Sequence, residues 1–587
     1  MPEIVLPPGI LKTQSEVAAI GRWVDCDHIR FVNGMPEKIK GYKRYVSTAL
    51  LGVPRALCSW LNPTGFELLS AGTERKLYVH ELDGDLLNIT PIRASSTINN
   101  NPFATTNGSP TVTVTDTAHG ATVGAFVTFS GAASTGGLNM NAEWQIVTVP
   151  TANTYTFTHT SNATSTVAAG GGASVVAAYQ INPGISSPSF SAGYGAGDYG
   201  EETYGTERST ATFELEARFW SLHNYGNKLL ATPGPNGGIY LYDSSTDTEA
   251  EILANAPTDV RYSFVTEVRF ITALREGMVV EWADRDDITD WTPGATDTAN
   301  ERTLPVGSKL IAGAQFGHGI NLIWSDTAVY MHQYTGSDFV YDTRVRGTEC
   351  GLIGPAAFAN AGGAAFWMSG NSFHMMNGGI VSAIPNQDDV KQWVFANMSA
   401  AHRVKTTCWF NSDYREVWWS WPSTNATEPD RYVMVNIDTF AWAVGTGGPT
   451  AAARRIGVNS GRVLFAAASV IYQDEVSDTN ANGAALDWFI VSGFFLPAEN
   501  QMHDVFGFVP DFDWQTGDIE ATFTGKDKPN STSQDVQTVT LEPTTELADL
   551  RLEARYFSMR LGQTGVVSGD MRLGKPTINL QPAGMRP

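Results

Sequence analysis

From about Arg218 to Glu475 the chain runs in short stretches of alternating apolar and polar residues, broken every few positions by Gly, Asn or Asp. Alternation with a period of two sends successive side chains to opposite faces of a β-strand. No stretch here holds a helical period for more than a few turns. Four segments carry the pattern most plainly: RFWSLHNYGNKLLATPGPNGGIYLYD from Arg218, VRFITALREGMVVEWADRDDITDW from Val268, LIAGAQFGHGINLIWSDTAVYMHQYTG from Leu310 and AAFWMSGNSFHMMNGGIVSAIP from Ala364. Each reads strand, tight turn, aromatic-bearing strand, turn, strand. Trp220, Tyr240, Trp282, Trp291, Trp324, Tyr330, Trp367 and Phe373 fall on the strands or at their ends. One small sheet cannot bury both faces alone, so units of roughly 40–55 residues with this content imply stacked blades. TTCWFNSDYREVWWSWP with DRYVMVNIDTFAWAVG, and RRIGVNSGRVLFAAASVIYQDE, add two units, and LCSWLNPTGFELLSAGTERKLYVHELDGDLLNITP from Leu57 is an earlier one. The pattern predicts an all-β chain built on a discontinuous β-propeller of six to eight blades.

The same reading divides the chain. Residues 1–53 form an extended segment and a hairpin, with Asn33-Gly34 as a two-residue turn and Arg22, Asp25, Asp27, Arg30, Glu37 and Lys38 alternating in sign. These charges either pair on a hairpin surface or dock onto a partner or neighbouring domain. Residues 54–95 are the first blade. Residues 96–182 contain Asp116 and Glu143 as their only acidic residues and no Lys or Arg, and TVTVTD, AFVTFSG, EWQIVTV and TYTFTHT alternate as strands. We read them as an inserted, independently folding β-module. Residues 183–216 connect back through the Gly/Tyr-rich FSAGYGAGDYGEETYGTE, either a plain linker or an ordered interface loop. Residues 217–483 hold the remaining blades, and 484–587 form a sandwich-like C-terminal β-domain and a tail with three prolines.

At 587 residues the chain is too long for one ordinary core. Only 17% of residues are charged, below the roughly 25% usual for soluble domains, which suits a turn-rich protein with much of its surface under partner subunits. The net charge of −22 argues against gripping nucleic acid through its phosphates. Cys26, Cys58, Cys350 and Cys408 are far apart, with no CxxC and no His at metal spacing, so buried thiols in a reducing compartment are expected. No apolar run reaches the roughly 20 residues of a membrane span, and the N-terminus lacks a signal peptide's basic and apolar regions. A soluble protein made in a cytoplasm, without membrane insertion of its own, is the expectation.

Candidate chemistry is sparse. Asp284, Asp286, Asp287 and Asp290 cluster in ADRDDITDW, but their spacing departs from a calcium loop, and a turn capping its own backbone is the favoured reading. No Asp-box, G-x-S-x-G, Walker A or H-E-x-x-H motif occurs. His28 and His119 read as structural, and the Asn88 and Asn425 sequons have no meaning without secretion. We therefore expect no enzyme activity, no catalytic, cofactor-binding or metal-binding residue, and no cofactor.

PPGILKTQSE, GRWVDCDHIRFVNGMPEKIKGY and GTERKLYV with NITP resemble the opening of the tail-nozzle proteins of short-tailed bacteriophages, also called tail tubular protein B or packaged-DNA stabilisation protein. GYGAGDYGEETYG, the segment around Trp282 to Trp291, and the closing RYFSMR, LGKP and PAGMR are similar to the same group. The resemblance implies a virion structural protein, assembled in the host bacterial cytoplasm as a homo-hexamer below a ring of tail adaptor subunits, with fibres or spikes nearby. It also implies a tail tube that retains packaged double-stranded DNA and conducts it outward at ejection; a tube that lets a polyanion slide should not bind it tightly, and the net charge of −22 agrees. The competing class is a carbohydrate-binding or carbohydrate-active propeller of a phage tail, a receptor-binding protein or depolymerase, which as a glycosidase needs two carboxylates facing one another across a cleft.

Overall fold

The alternating segments pair as antiparallel sheets, and seven four-stranded sheets follow one another around an axis in the computed structural model. The structure describes residues 3–584 apart from 16, 82–83, 191–213, 295–296, 318, 338–339, 457–460, 478–479, 497–500 and 567–568. The strands nearest the axis are Pro54–Leu61, Phe219–Tyr225, Val260–Val265, Leu310–Gly317, Phe358–Ala361, Thr407–Asn411 and Ala451–Arg454. They open the first to seventh blades in that order. The fold is the expected discontinuous β-propeller: the first blade precedes the inserted module and the second begins at Phe219.

Aromatic side chains join the blades. On the strand Glu416–Trp421 of the sixth blade, adjacent tryptophans point to opposite faces. Trp418 packs on Trp409 and Tyr432 within its own sheet, whereas Trp419 meets Phe373 of the fifth blade at 5.1 Å. Trp324 of the fourth blade stacks on Phe358 of the fifth at 4.6 Å, and Trp282 of the third meets Tyr341 of the fourth at 5.2 Å. Such pairs combine large buried area with favourable edge or offset geometry. Two glycines make room for the interlock. A Cβ on Gly72 of the first blade would lie 2.5 Å from Trp220 of the second, and one on Gly313 of the fourth would lie 2.4 Å from Phe264 of the third.

The seventh blade takes its outermost strand from the start of the chain. Val470–Ser477 pairs with Gly41–Arg44, so the ring closes by hydrogen bonds between segments far apart in sequence. The rest of the N-terminal segment is built into the C-terminal layers. Trp23–Asp27 pairs with Trp488–Ser492, and the hairpin Ile29–Val32 and Met35–Lys38 turns at Asn33-Gly34, both at positive φ, and joins Asp570–Leu573. Sheets of five, four and three strands result. One apolar core runs from Trp23, Ile490 and Phe557 in these layers to Trp419 and Trp442 in the sixth blade.

The insert forms one eight-stranded antiparallel sheet system between Ile92 and Gln180, with its own core around Phe103, Phe129, Tyr155 and Phe157. It is seated on the first blade, where Lys76, 2% exposed, bonds Gln180 at 2.6 Å and Glu143 at 2.8 Å and lies over the Phe126 ring. Apart from Ile181, which packs in the core of the first two blades, residues 96–182 keep to a core of their own, so replacing them by a short Gly/Ser bridge is expected to leave a folded propeller, and to bring Lys76 into water. Near-ultraviolet circular dichroism of the excised protein checks this, and loss of the tryptophan signal would refute it.

Candidate functional site at the axial mouth

The seven inner strands run in the same direction, and the loops at their starting ends gather around one mouth of the axis. A cavity of about 260 Å³ opens there, its walls including Phe219, Tyr262, Ile311 and Ile353, with Glu216, Arg261, Lys309, Asp326 and Arg403 as charged lining. A second cavity of about 170 Å³ lies between the inner strands themselves, bounded by Trp220, Leu222, Phe358 and Cys408. Both are smaller than the roughly 300–1,000 Å³ of ordinary small-molecule pockets.

Most of the charges at the mouth are paired with one another, Arg403 being exposed and Asp326 bonded to Ser308. Glu216 binds Arg261, and Lys309 at 2.9 Å, while Arg261 also reaches Glu276 at 2.5 Å. On the other side Arg55, 2% exposed, donates twice to Glu428 at 2.8 Å, and Lys405 donates to the same carboxylate at 2.7 Å. Arg55 also holds the Ser186 carbonyl at 2.7 Å and Lys405 the Ser187 hydroxyl at 2.8 Å. The chain returning from the insert is thereby pinned across the mouth, and just beyond it Ser189–Phe190 pairs with Glu214–Leu215. The Gly/Tyr-rich stretch between these two short strands lies outside the described residues.

Burial pushes the Glu216 carboxyl up, but Arg261 and Lys309 outweigh it and hold the group below the usual carboxylate range. Asp326 behaves alike: burial raises it, and the hydroxyl and N–H of Ser308 more than compensate. Both carboxylates are thus held in the ionised form by their partners. The carboxyls that are raised lie elsewhere. Glu281 sits in the third blade beside Arg275, while Glu416, Asp474 and Asp570 lie where the N- and C-terminal layers meet the blades.

The residues singled out in the sequence take structural places. Asp284 accepts from the N–H groups of Asp286, Asp287 and Thr298, Asp287 accepts from Thr289, and Asp290 accepts from the N–H of Thr292, so these carboxylates cap their own turn. His119 is buried against Tyr155 and accepts the Ala121 N–H at 3.1 Å, and the His28 N–H donates to the Tyr432 hydroxyl at 2.9 Å. The Asn88 amide donates to Glu143 at 3.0 Å, and Asn425 is exposed. All four cysteines are unpaired thiols, and burial pushes each upward. Among the described residues no group of three or more His, Cys, Asp or Glu is placed to hold a metal ion, and no helix is long and apolar enough to cross a membrane. The mouth residues escaped the sequence reading because Arg55, Glu216, Arg261, Lys309, Lys405 and Glu428 share no motif. Their signal is positional, as several fall just before or at the start of an inner strand.

No family model and no curated protein matches the chain. Similar solved structures include a gluconolactonase from Xanthomonas campestris (7% identity, 43% of this chain and 84% of that one, TM-score 0.26). A virginiamycin B lyase from Staphylococcus aureus is 10% identical over 46% of this chain and 90% of that one, at TM-score 0.30. An endosialidase of phage phi92 is 11% identical over 76% of this chain and 61% of that one, at TM-score 0.20. At these scores the likenesses carry no argument about chemistry.

Proposed function

We propose that this chain is a structural subunit of the tail tube, or nozzle, of a short-tailed phage, a ring of six copies that encloses the path of the packaged DNA. The observation that carries this reading is the closed axis. A duplex whose major groove alone is about 12 Å wide cannot enter cavities of about 260 and 170 Å³, so any DNA path runs between copies. Glu216, Arg261, Lys309, Arg55, Lys405 and Glu428 at the mouth are committed to internal partners, and the chain as a whole carries −22. A wall with few free cations gains little counterion release from the backbone, so DNA slides past it, and retention falls to steric closure. The hairpin whose charges, on sequence alone, are open to docking onto a partner or a neighbouring domain has Ile29, Arg30, Phe31, Glu37 and Lys38 buried within its own chain. Contacts to partners therefore fall mainly on other surfaces of the N- and C-terminal layers.

Imaging of the purified protein, or of virion tails, tests the ring: six-fold particles with a lumen between subunits are expected. Purified rings are also expected to show no measurable affinity for duplex DNA at low salt. Salt-sensitive binding would overturn the sliding mechanism, and a protein that stays monomeric and never enters particles would overturn the assignment.

A second reading, a carbohydrate-binding or carbohydrate-active propeller of a phage tail, is favoured by the mouth cavity itself, where Phe219 and Tyr262 stand beside Arg261, Lys309 and Asp326. Incubation with host surface polysaccharide separates the two. Release of reducing ends, or binding abolished by Asp326→Asn, would select the second reading, and neither is expected under the first.

A further inference from the structure

The N-terminal hairpin is joined to the propeller through a cluster in which buried Arg30 and Glu416 meet the partly buried Asp474 and Glu475. Arg30, 0% exposed, donates to both oxygens of Glu475 at 2.7 and 2.5 Å, lies 3.2 Å from Glu416, and stacks over the Tyr414 ring at 3.5 Å. Asn411 adds a hydrogen bond to Glu475 at 2.8 Å and Trp418 one to Glu416 at 3.1 Å. Asp474 stands next to Glu475, its carboxylate accepting the Glu475 N–H at 3.0 Å. These neighbours come together because the strand Val470–Ser477 bulges against Gly41–Arg44, where Gly41 faces Ser477 and Lys43 faces Gln473. Glu475 sits in that bulge at φ 54, a conformation that costs a non-glycine residue energy and is found where local structure is held for a purpose.

We propose that this seam is a proton-operated latch: the hairpin stays seated on the sixth and seventh blades while the carboxyl cluster keeps a proton, and loosens when that proton leaves. One guanidinium cannot balance the buried Glu416 and the partly buried Asp474 and Glu475 together. The groups facing the cluster are Arg30 and Glu37 from the hairpin, Tyr42 from the strand beside the seventh blade, and Tyr414 from the sixth. Only Arg30 among them is a cation. Glu37 is itself paired with Arg572 at 2.7 Å, and beyond it lie Lys38, Lys40 and Asp570, which form a neighbouring set. Burial pushes Glu416 up to about 7 against the pull of Arg30, and burial and the neighbouring Glu475 push Asp474 up as well. A carboxyl raised in the folded state holds a proton that the unfolded chain has released. Its contribution to stability therefore falls as pH climbs from the ordinary carboxylate range of about 4 towards about 7 for Glu416.

Amide hydrogen exchange of the full chain, corrected for the intrinsic rate, tests the latch between about pH 6 and about pH 8.5. Protection of residues 29–38 and 470–477 is expected to fall at least about tenfold over that interval, while amides of the insert core hold theirs. In a Glu416→Gln, Asp474→Asn variant the fall is expected to vanish. A seam whose protection is flat with pH, or falls only in step with the insert, overturns the proposal without need of any variant. A double variant that keeps the wild-type profile overturns it as well.

Discussion

Replacing Arg30 by methionine is expected to destabilise the protein by about 3–5 kcal/mol, the usual cost of leaving a buried charge without its partner. The guanidinium is inaccessible to water and is the shared counterion of Glu475 and Glu416. Methionine matches its stem but supplies no donor, so Glu475 and the buried Glu416 lose their shared cation. Equilibrium denaturation with urea measures the loss. The double variant Arg30→Met, Glu475→Gln decides the cause, because it removes the stranded charge and is expected to recover a large share of the stability. A single variant within about 1 kcal/mol of wild type would mean that the seam is held by its apolar contacts alone.

Arg455→Ala is expected to open the ring at its joint between the seventh and first blades, again at a cost of about 3–5 kcal/mol. Arg455 donates to Glu67 of the first blade at 2.8 Å through one terminal nitrogen and at 3.2 Å through Nε, with side chains only 4% and 8% exposed. Glu67 is further held by the Ser59 hydroxyl at 2.7 Å and the Ile456 N–H at 3.2 Å. Truncation removes the cation but leaves the carboxylate fixed in place. Limited proteolysis reads the result: cleavage is expected first in residues 451–477, and the Arg455→Ala, Glu67→Gln pair is expected to slow it. Unchanged proteolysis of the single variant would show that pairing of Gly41–Arg44 with the seventh blade closes the ring unaided.

Both variants act on contacts that the sequence does not announce. Arg30 and Glu475 are 445 residues apart, and Arg455 and Glu67 are 388 apart. In the one-dimensional pattern Arg30 is one more charge in a hairpin of alternating sign, and Glu475 the end of a strand. The bulge that turns Asp474 and Glu475 into the seam depends on how two strands from opposite ends of the chain register. The mouth is similar, since Arg55, Lys405 and Glu428 meet only because the blades come full circle. The Asp284 to Asp290 cluster, in contrast, was legible, because nearly all its partners lie within a few residues and short carboxylates in a turn find their own backbone first.

The sequence by itself determined what local physics decides: strands from period-two alternation, turns from Gly, Asn and Asp, and blades from the recurrence of both. It also marked the insert, whose lack of cations sets it apart from the chain on either side. Only the tertiary structure decided that there are seven blades, that Gly41–Arg44 completes the last of them, and that Trp23–Asp27 joins Trp488–Ser492. The physical reason is that a strand edge offers the same row of N–H and C=O groups to any partner. Which edge it meets is settled by side-chain burial and charge pairing across the whole chain, and those are properties of the assembled fold.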